Sequence, residues 1–316
     1  MLSTPPINTD WTRAYSGCRV MGTLRDQLAD FQVFEVFDRV FSGHGEHLYV
    51  LVQKQDLNTK DVQSSLAHHY GVSLVDVSYA GLKDKRAIAQ QWFSIRLPKT
   101  AQRPIDKHFS ILEETKHDRK SRPGDHHGNR FHIRIRNVSQ SGNLAPDALQ
   151  GPLPNYFGPQ RFGYQGNNLR RALDWVSRST PRVKRGVRAL YMSVLRSLIF
   201  NEVLASRISG DIWRTALKGD VLLEHSPTGP LWGRGRLSTS SEALTIEQSV
   251  QRQHKAVCDT LEWVGLKQER RALVMHASDV AIQREHDTIE LRFSLPKGSY
   301  AKPELNSVVI SLNRYI

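Results

Sequence analysis

The sequence predicts an α+β protein in which a sheet-bearing domain is interrupted by an inserted, mainly helical unit. Three observations carry this. Gly128 to Arg136 alternates, with Phe131, Ile133 and Ile135 to one side and His132, Arg134 and Arg136 to the other. Thr288 to Leu295 alternates in the same way near the far end of the chain. Between them, Leu190 to Leu204 places Tyr191, Val194, Leu195, Leu198 and Ile199 on one helical face, which is a core pattern. The expected organisation is residues 1–165 as the first part of the sheet domain, 166–286 as the insertion, and 287–316 returning to the sheet.

The chain has 316 residues, enough for a substantial core. Lys and Arg number 44 against 31 Asp and Glu, a net charge of +13. A charge of this size most often serves a polyanionic partner, either nucleic acid or an acidic surface. No apolar run approaches the roughly 18 residues of a membrane span, and the N-terminus shows no secretion signal. The two cysteines, Cys18 and Cys258, are far apart and read as unpaired thiols in a reducing compartment. A cytoplasmic protein fits these features.

In chain order, residues 1–20 read as an irregular lead-in with a short ordered piece near Trp11. Phe31 to Phe37 reads as a strand buried on both faces. A Gly-punctuated turn at Phe41–Glu46 leads to a second strand at Leu48–Val52, so the two are expected to form a hairpin. Asn58 or Thr59 caps a helix carrying Val62, Leu66 and Tyr70. Leu74, Val75 and Val77 read as a short strand, and Trp92–Ile95 as another.

Between these two lies Gly81-Leu82-Lys83-Asp84-Lys85-Arg86-Ala87, the stretch with the most chemistry. Gly81 permits a sharp turn or a close ligand. Asp84 is a single carboxylate among Lys83, Lys85 and Arg86, and cations so close favour its charged form. The same cations suit phosphates. A solvated basic turn with one surface ion pair is the competing reading of these residues.

Residues 99–128 read as a basic, irregular connection with a short strand near Ile111-Leu112. Asp125-His126-His127 within it is a triplet also found in metal-dependent phosphoesterases. Such a site needs further Asp and His ligands, and no Asp-x-Asp element lies upstream. Asn155 to Gly163 packs aromatics, glycines, a proline and Arg161 into nine residues, a structured loop with a cation available for phosphate. Leu169, Ala172, Leu173 and Val176 suggest a helix, residues 211–245 a small irregular sheet or loops, and Ile246 to Met275 a return of helical spacing.

Three stretches resemble, in the same order, the TruD family of tRNA pseudouridine synthases: Ala29–Glu35, Gly81–Ala87 and Pro154–Gly163. The likeness runs from about Arg25 to Tyr300 and is diffuse between Gly166 and Asp287. It implies a pseudouridine-synthase-type fold, a mixed, mainly antiparallel sheet flanked by helices, with an inserted TRUD domain that recognises tRNA shape. It implies Asp84 as the catalytic residue, Asn129 orienting it by a hydrogen bond, and Phe31 and Phe131 at the substrate, with Phe131 stacking on the target base. Arg25 stands where the family usually has Lys, a fork in place of a point donor. With Lys83, Lys85, Arg86 and Arg161 it completes the expected RNA contacts. Pro296–Ala301 resembles the closing motif of the family, but Lys302-Pro303-Glu304 departs from what usually follows.

The implied activity is isomerisation of uridine, at uridine 13 of particular tRNAs. It needs no cofactor and no metal, and no protein partner is inferred. One carboxylate suffices, as nucleophile or as a base acting on the ribose, and the residues leave both open. The competing functions are a non-catalytic RNA-binding protein and a phosphoesterase using Asp125-His126-His127.

Overall fold

The alternating segments fold as strands at or close to the bounds their patterns set. The computed structural model describes residues 11–15, 20–96, 108–138, 149–177, 183–297 and 310–312. In chain order these form β1 (Val20–Leu24), β2 (Phe31–Val36), β3 (His47–Gln55), α1 (Thr59–His69), β4 (Val77–Tyr79), β5 (Ile88–Arg96), β6 (Phe109–His117) and β7 (Gly128–Arg136). There follow β8 (Pro152–Pro154), α2 (Pro159–Phe162), α3 (Asn167–Val176), α4 (Arg185–Ser209), β9 (Leu222–Leu223), β10 (Ser226–Leu231), α5 (Ser241–Gln253) and α6 (Lys255–Trp263). The chain closes with β11 (Glu269–Ala272), β12 (Val274–His276), β13 (Ser278–Glu285), β14 (Thr288–Pro296) and β15 (Ile310–Leu312). Cys18 and the closing stretch from Gly298 to Glu304 lie outside the described residues.

The chain divides into two compact units. One comprises Arg19–Pro146, Ala277–Ser299 and Ile310–Ile316, the other Met1–Cys18, Asp147–His276 and Tyr300–Val309. The first unit holds a mixed, mainly antiparallel sheet in the order β13-β14-β7-β2-β5-β3-β6. β1 pairs with β7 and β15, and β4 with β5. Only the β2–β5 and β1–β15 pairings among the described strands are parallel. The expected β2–β3 hairpin does not form. β5 lies between them, parallel to β2 and antiparallel to β3 from His47↔Arg96 to Gln55↔Ile88. The physical reason is apolar content: β5 is buried along most of its length and takes the central position, which needs a ladder on both edges.

α1 covers one face of this sheet, setting Val62, Leu66, Ala67 and Tyr70 on Val50, Val52, Phe93 and Ile95. It starts at Asn58 with a capping box, in which the Asn58 amide N–H donates to Asp61 Oδ2 at 3.2 Å. Leu74-Val75 is not strand. It forms a 3₁₀ turn, Leu74–Asp76, with the Ser73 hydroxyl donating to Asp76 at 2.7 Å and both apolar side chains exposed. The short strand expected near Ile111 is the nine-residue β6.

In the second unit α4 is the central helix, extending the expected Leu190–Leu204 core face at both ends and burying Val194, Leu195, Leu198, Ile199, Val203 and Leu204. Helical structure after Ile246 stops at Trp263, and residues 269–276 are strands of small sheets. The loop Asn155–Gly163 is structural here. Tyr156, Phe157 and Phe162 enter the core. The buried Asn201 amide donates to the Phe157 carbonyl and accepts its N–H, each at 2.9 Å. Gly163 has φ of 81°, and a Cβ there would lie 2.7 Å from the Asn168 side chain.

Asn201→Ala leaves both Phe157 backbone groups buried without partners. It should cost about 2–4 kcal/mol of stability in urea titration. A loss within the scatter of surface substitutions would show that the clamp carries no net free energy.

Candidate active site

Asp84 sits on the loop between β4 and β5, which its neighbours bind at Gly81, Lys83, Asp84 and Ala87. The Gly81 carbonyl accepts from Gln91 Nε2 at 3.1 Å, and the Lys83 N–H donates to Thr59 Oγ1 at 3.0 Å. Thr59 in turn donates to Gln91 Oε1 at 2.9 Å, so the first turn of α1 and the face of β5 act together. The Lys83 ammonium meets Glu35 Oε1 at 2.6 Å, and the other Glu35 oxygen accepts the Trp92 N–H at 2.9 Å. Both side chains of this pair are buried. The Asp84 carbonyl accepts from Lys54 Nζ at 2.6 Å, and the Ala87 carbonyl accepts from the Asp56 N–H at 3.4 Å.

Against that frame the Asp84 carboxylate remains partly open, meeting Arg25 Nη2 at 3.1 Å. Arg25 adopts φ of 62° after β1 and lays its guanidinium 3.8 Å from the Phe31 ring centre. Its position depends on the turn that follows. Asp30, fully buried, accepts the Gln27 N–H at 2.8 Å and a forked contact from Arg136 at 2.8–3.0 Å.

Phe31, Glu35, Asn129 and Phe131 share one sheet face, because Glu35 pairs with Asn129 and Val33 with Phe131 across β2 and β7. Phe131 is 5% exposed, stacked on Phe293 at 5.4 Å and edge-on to Phe31 at 6.2 Å. Asn129 is buried, and its Oδ1 has no hydrogen-bond partner among the described residues. No Asn129–Asp84 bond is formed in this arrangement. Arg25, Phe31, Asp84, Asn129 and Phe131 thus belong to one unit.

Lys83 is the residue whose placement differs from expectation. It was expected at RNA, and the Glu35 carboxylate draws it inward instead, because two buried opposite charges need each other. Leu82, Lys85 and Arg86 point outward. Arg161 belongs to the other unit, where it donates to the Ser193 hydroxyl at 3.0 Å. The Asp125-His126-His127 side chains go three ways. Asp125 pairs with Arg39 at 2.9 Å, His127 meets Asp38 at 3.2 Å, and His126 turns inward. Among the described residues no three His, Cys, Asp or Glu gather to hold a metal.

Lys54 and Gln91 lie outside every motif of the sequence, while Thr59 and His126 enter this site in roles other than helix cap and metal ligand. Lys54 carried a signal, since it continues the Val50, Val52 stripe onto the buried face as a charge. Burial lowers its ammonium from 10.5 to about 8, against the opposing pull of Asp84. His126 Cε1 lies 3.2 Å from where a Cβ on Gly81 would be, so a side chain there would crowd the ring. Cys258 is buried, and its thiol is pushed up to about 12 by that burial. No described helix is long and apolar enough to cross a membrane.

Fold and site together define an α+β protein with a one-carboxylate, cation-flanked site. The family model for tRNA pseudouridine synthase D (TruD) matches residues 12–171. The chain is 36% identical over 313 residues to the tRNA pseudouridine synthase D of Pseudomonas putida strain W619, covering 89% of each chain. It is 33% identical over 350 residues to that of Chromohalobacter salexigens, covering 98% of this chain and 99% of that one. The solved structure of a TruD protein from Methanosarcina mazei superposes with a TM-score of 0.67 at 20% identity, covering 96% of each chain, which shows a shared fold. This chain belongs to the tRNA pseudouridine synthase D (TruD) family.

Burial, and next the Lys83 charge, lower the His126 imidazole below its usual 6.5. The unfolded chain then takes up a proton near that value which the folded chain refuses, so stability falls as pH drops through this window. Relative to wild type, His126→Leu should gain up to about 1.4 kcal/mol per pH unit as the medium goes from about pH 6.5 downward. A pH-independent difference in denaturant midpoints would mean that folding leaves the proton affinity of His126 unchanged.

Proposed function

We propose that this protein isomerises uridine to pseudouridine in tRNA, at uridine 13 of particular tRNAs, with Asp84 as nucleophile. The observation that carries the reading is the Asp84 carboxylate, partly open beside Arg25 on a loop bound down on both sides, in a member of the TruD family. The reaction breaks the bond from ribose C1′ to base N1, turns the base, and joins C1′ to C5. The C5 proton is the only atom lost, so the chemistry requires no cofactor. Asp84 attacks the nucleotide and is released as a carboxylate when the new bond closes.

A uridine in folded RNA must leave its stack first, at a cost of a few kcal/mol. Aromatic stacking repays roughly 1–3 kcal/mol per base, and we assign this part to the wall formed by Phe31 and Phe131. The unpartnered Asn129 Oδ1 supports a role for Asn129 in accepting a hydrogen bond from substrate once RNA is bound, because a buried acceptor without a donor is costly, and any orienting of Asp84 would fall to Asn129 Nδ2 as donor. Arg25, Lys85, Arg86 and Arg161 are the proposed phosphate contacts. The second compact unit, whose Asp147–His276 segment contains most of the expected insertion 166–286, is proposed to recognise tRNA shape. Such a role fits a cytoplasmic protein with charge +13.

Tritium release from transcribed tRNA labelled at uridine C5 tests the reaction, since only C1′–C5 bond formation expels that label. Wild type should release it and Asp84→Asn should not, while tRNA binding persists in both. Binding without release from either would leave an RNA-binding protein. If about six phosphates are contacted, affinity should fall on the order of a thousandfold between 50 and 200 mM salt. A flat salt response would remove the electrostatic part of the reading.

A further inference from the structure

Lys54 has an environment that folding alone does not explain. A fully buried lysine is rare unless its charge is matched. Here the side chain is 0% exposed, and its ammonium donates to two main-chain carbonyls, Asp84 at 2.6 Å and Leu57 at 2.7 Å. Leu57 immediately precedes the Asn58 cap of α1, and Thr59 in the first turn of that helix holds the Lys83 N–H. One cation therefore ties three pieces together: the end of β3, the start of α1, and the backbone of the proposed catalytic residue. A leucine or methionine at this position would extend the apolar stripe of Val50 and Val52 at no desolvation cost. The buried charge lies where it bears directly on Asp84.

We propose that Lys54 is a positioning residue for Asp84, holding the carboxylate-bearing loop in its reactive place, and that turnover depends on Lys54 remaining charged. This rests on the assignment of Asp84 made above. A charged donor makes a shorter and roughly twofold stronger hydrogen bond than a neutral one. Loss of the proton would relax the loop without unfolding it, since the neutral amine still donates. The groups facing Lys54 are Asp84 and Lys83 from the loop, Asp56 just past β3, and Asp61 from α1. The three carboxylates favour its charged form, while Lys83 and burial oppose it, and the sum places its titration at about 8.

The experiment is the pH dependence of kcat, read by tritium release on saturating tRNA, for wild type, Lys54→Met and Lys54→Arg. Wild-type kcat should fall above about pH 8, with KM little changed. Lys54→Met should be slower on the order of a hundredfold at pH 7, the scale expected for a misplacement of about 1 Å. It should bind tRNA as wild type does and lack the alkaline fall. Lys54→Arg, charged at every working pH, should recover part of the rate and also lack that fall. Each variant is compared with wild type at the same pH, so ionisation of the uracil itself cancels. A wild-type kcat flat beyond pH 9, an alkaline fall retained in either variant, or Lys54→Met with wild-type kcat overturns the proposal. If Lys54→Met does not fold, the wild-type and Lys54→Arg profiles decide alone. Asp84→Asn assayed alongside separates the two readings: turnover by that variant removes the role of Asp84, whereas a wild-type kcat in Lys54→Met removes only that of Lys54.

Discussion

The structure around Asp84 depends on one constraint: a loop laid against a buried sheet face must have its polar backbone satisfied by side chains. Regular strands satisfy each other, but Gly81 to Ala87 is not a strand. Side chains of Gln91, Thr59 and Lys54 meet the backbone of Gly81, Lys83 and Asp84, the Asp56 N–H meets the Ala87 carbonyl, and Glu35 holds the Lys83 ammonium. Most of these are polar residues placed inside, where each requires a partner of its own. Thr59 and Gln91 satisfy each other, and Glu35 divides its two oxygens between Lys83 and the Trp92 N–H. The cost of burying these groups is offset only when the whole set is in place. The result is a loop with little freedom, bearing a carboxylate with considerable exposure.

That combination suits a reaction in which nothing enters or leaves except a proton. A loop fixed in this way holds the Asp84 carboxylate in one place, and orientation of that kind can supply part of a rate. Arg25 contributes a cation on one side, and the Phe31–Phe131–Phe293 stack closes the wall beside it. Family membership and this geometry agree on what kind of chemistry to test.

Some of this was legible in the order of residues. β7 and β14 were readable because one face of each is core and the other is not, and an alternating pattern has no other simple explanation. The cap of α1 was readable at Asn58 because capping is a local interaction three residues long. Leu74-Val75 misled because apolar side chains were assumed to be buried, whereas the Ser73–Asp76 hydrogen bond turns the chain and leaves them exposed. The β2–β3 hairpin misled because adjacency in sequence was taken for adjacency in the sheet, and β5 displaced it from a distance.

The site divides in the same way. The sequence by itself determined the period of the strands, the cationic excess, and the motif that singles out Asp84, since each is a property of neighbours along the chain. Which lysine of that motif faces solvent was decided only by tertiary structure. Lys83 and Lys85 are equivalent in sequence terms, yet a carboxylate on β2 draws the first inward and leaves the second exposed. Lys54 behind the Asp84 carbonyl is likewise a product of long-range pairing. Both contacts join residues about 30 to 48 positions apart. Such contacts leave no local period or spacing, because their free energy comes from burial that exists only once the sheet is assembled.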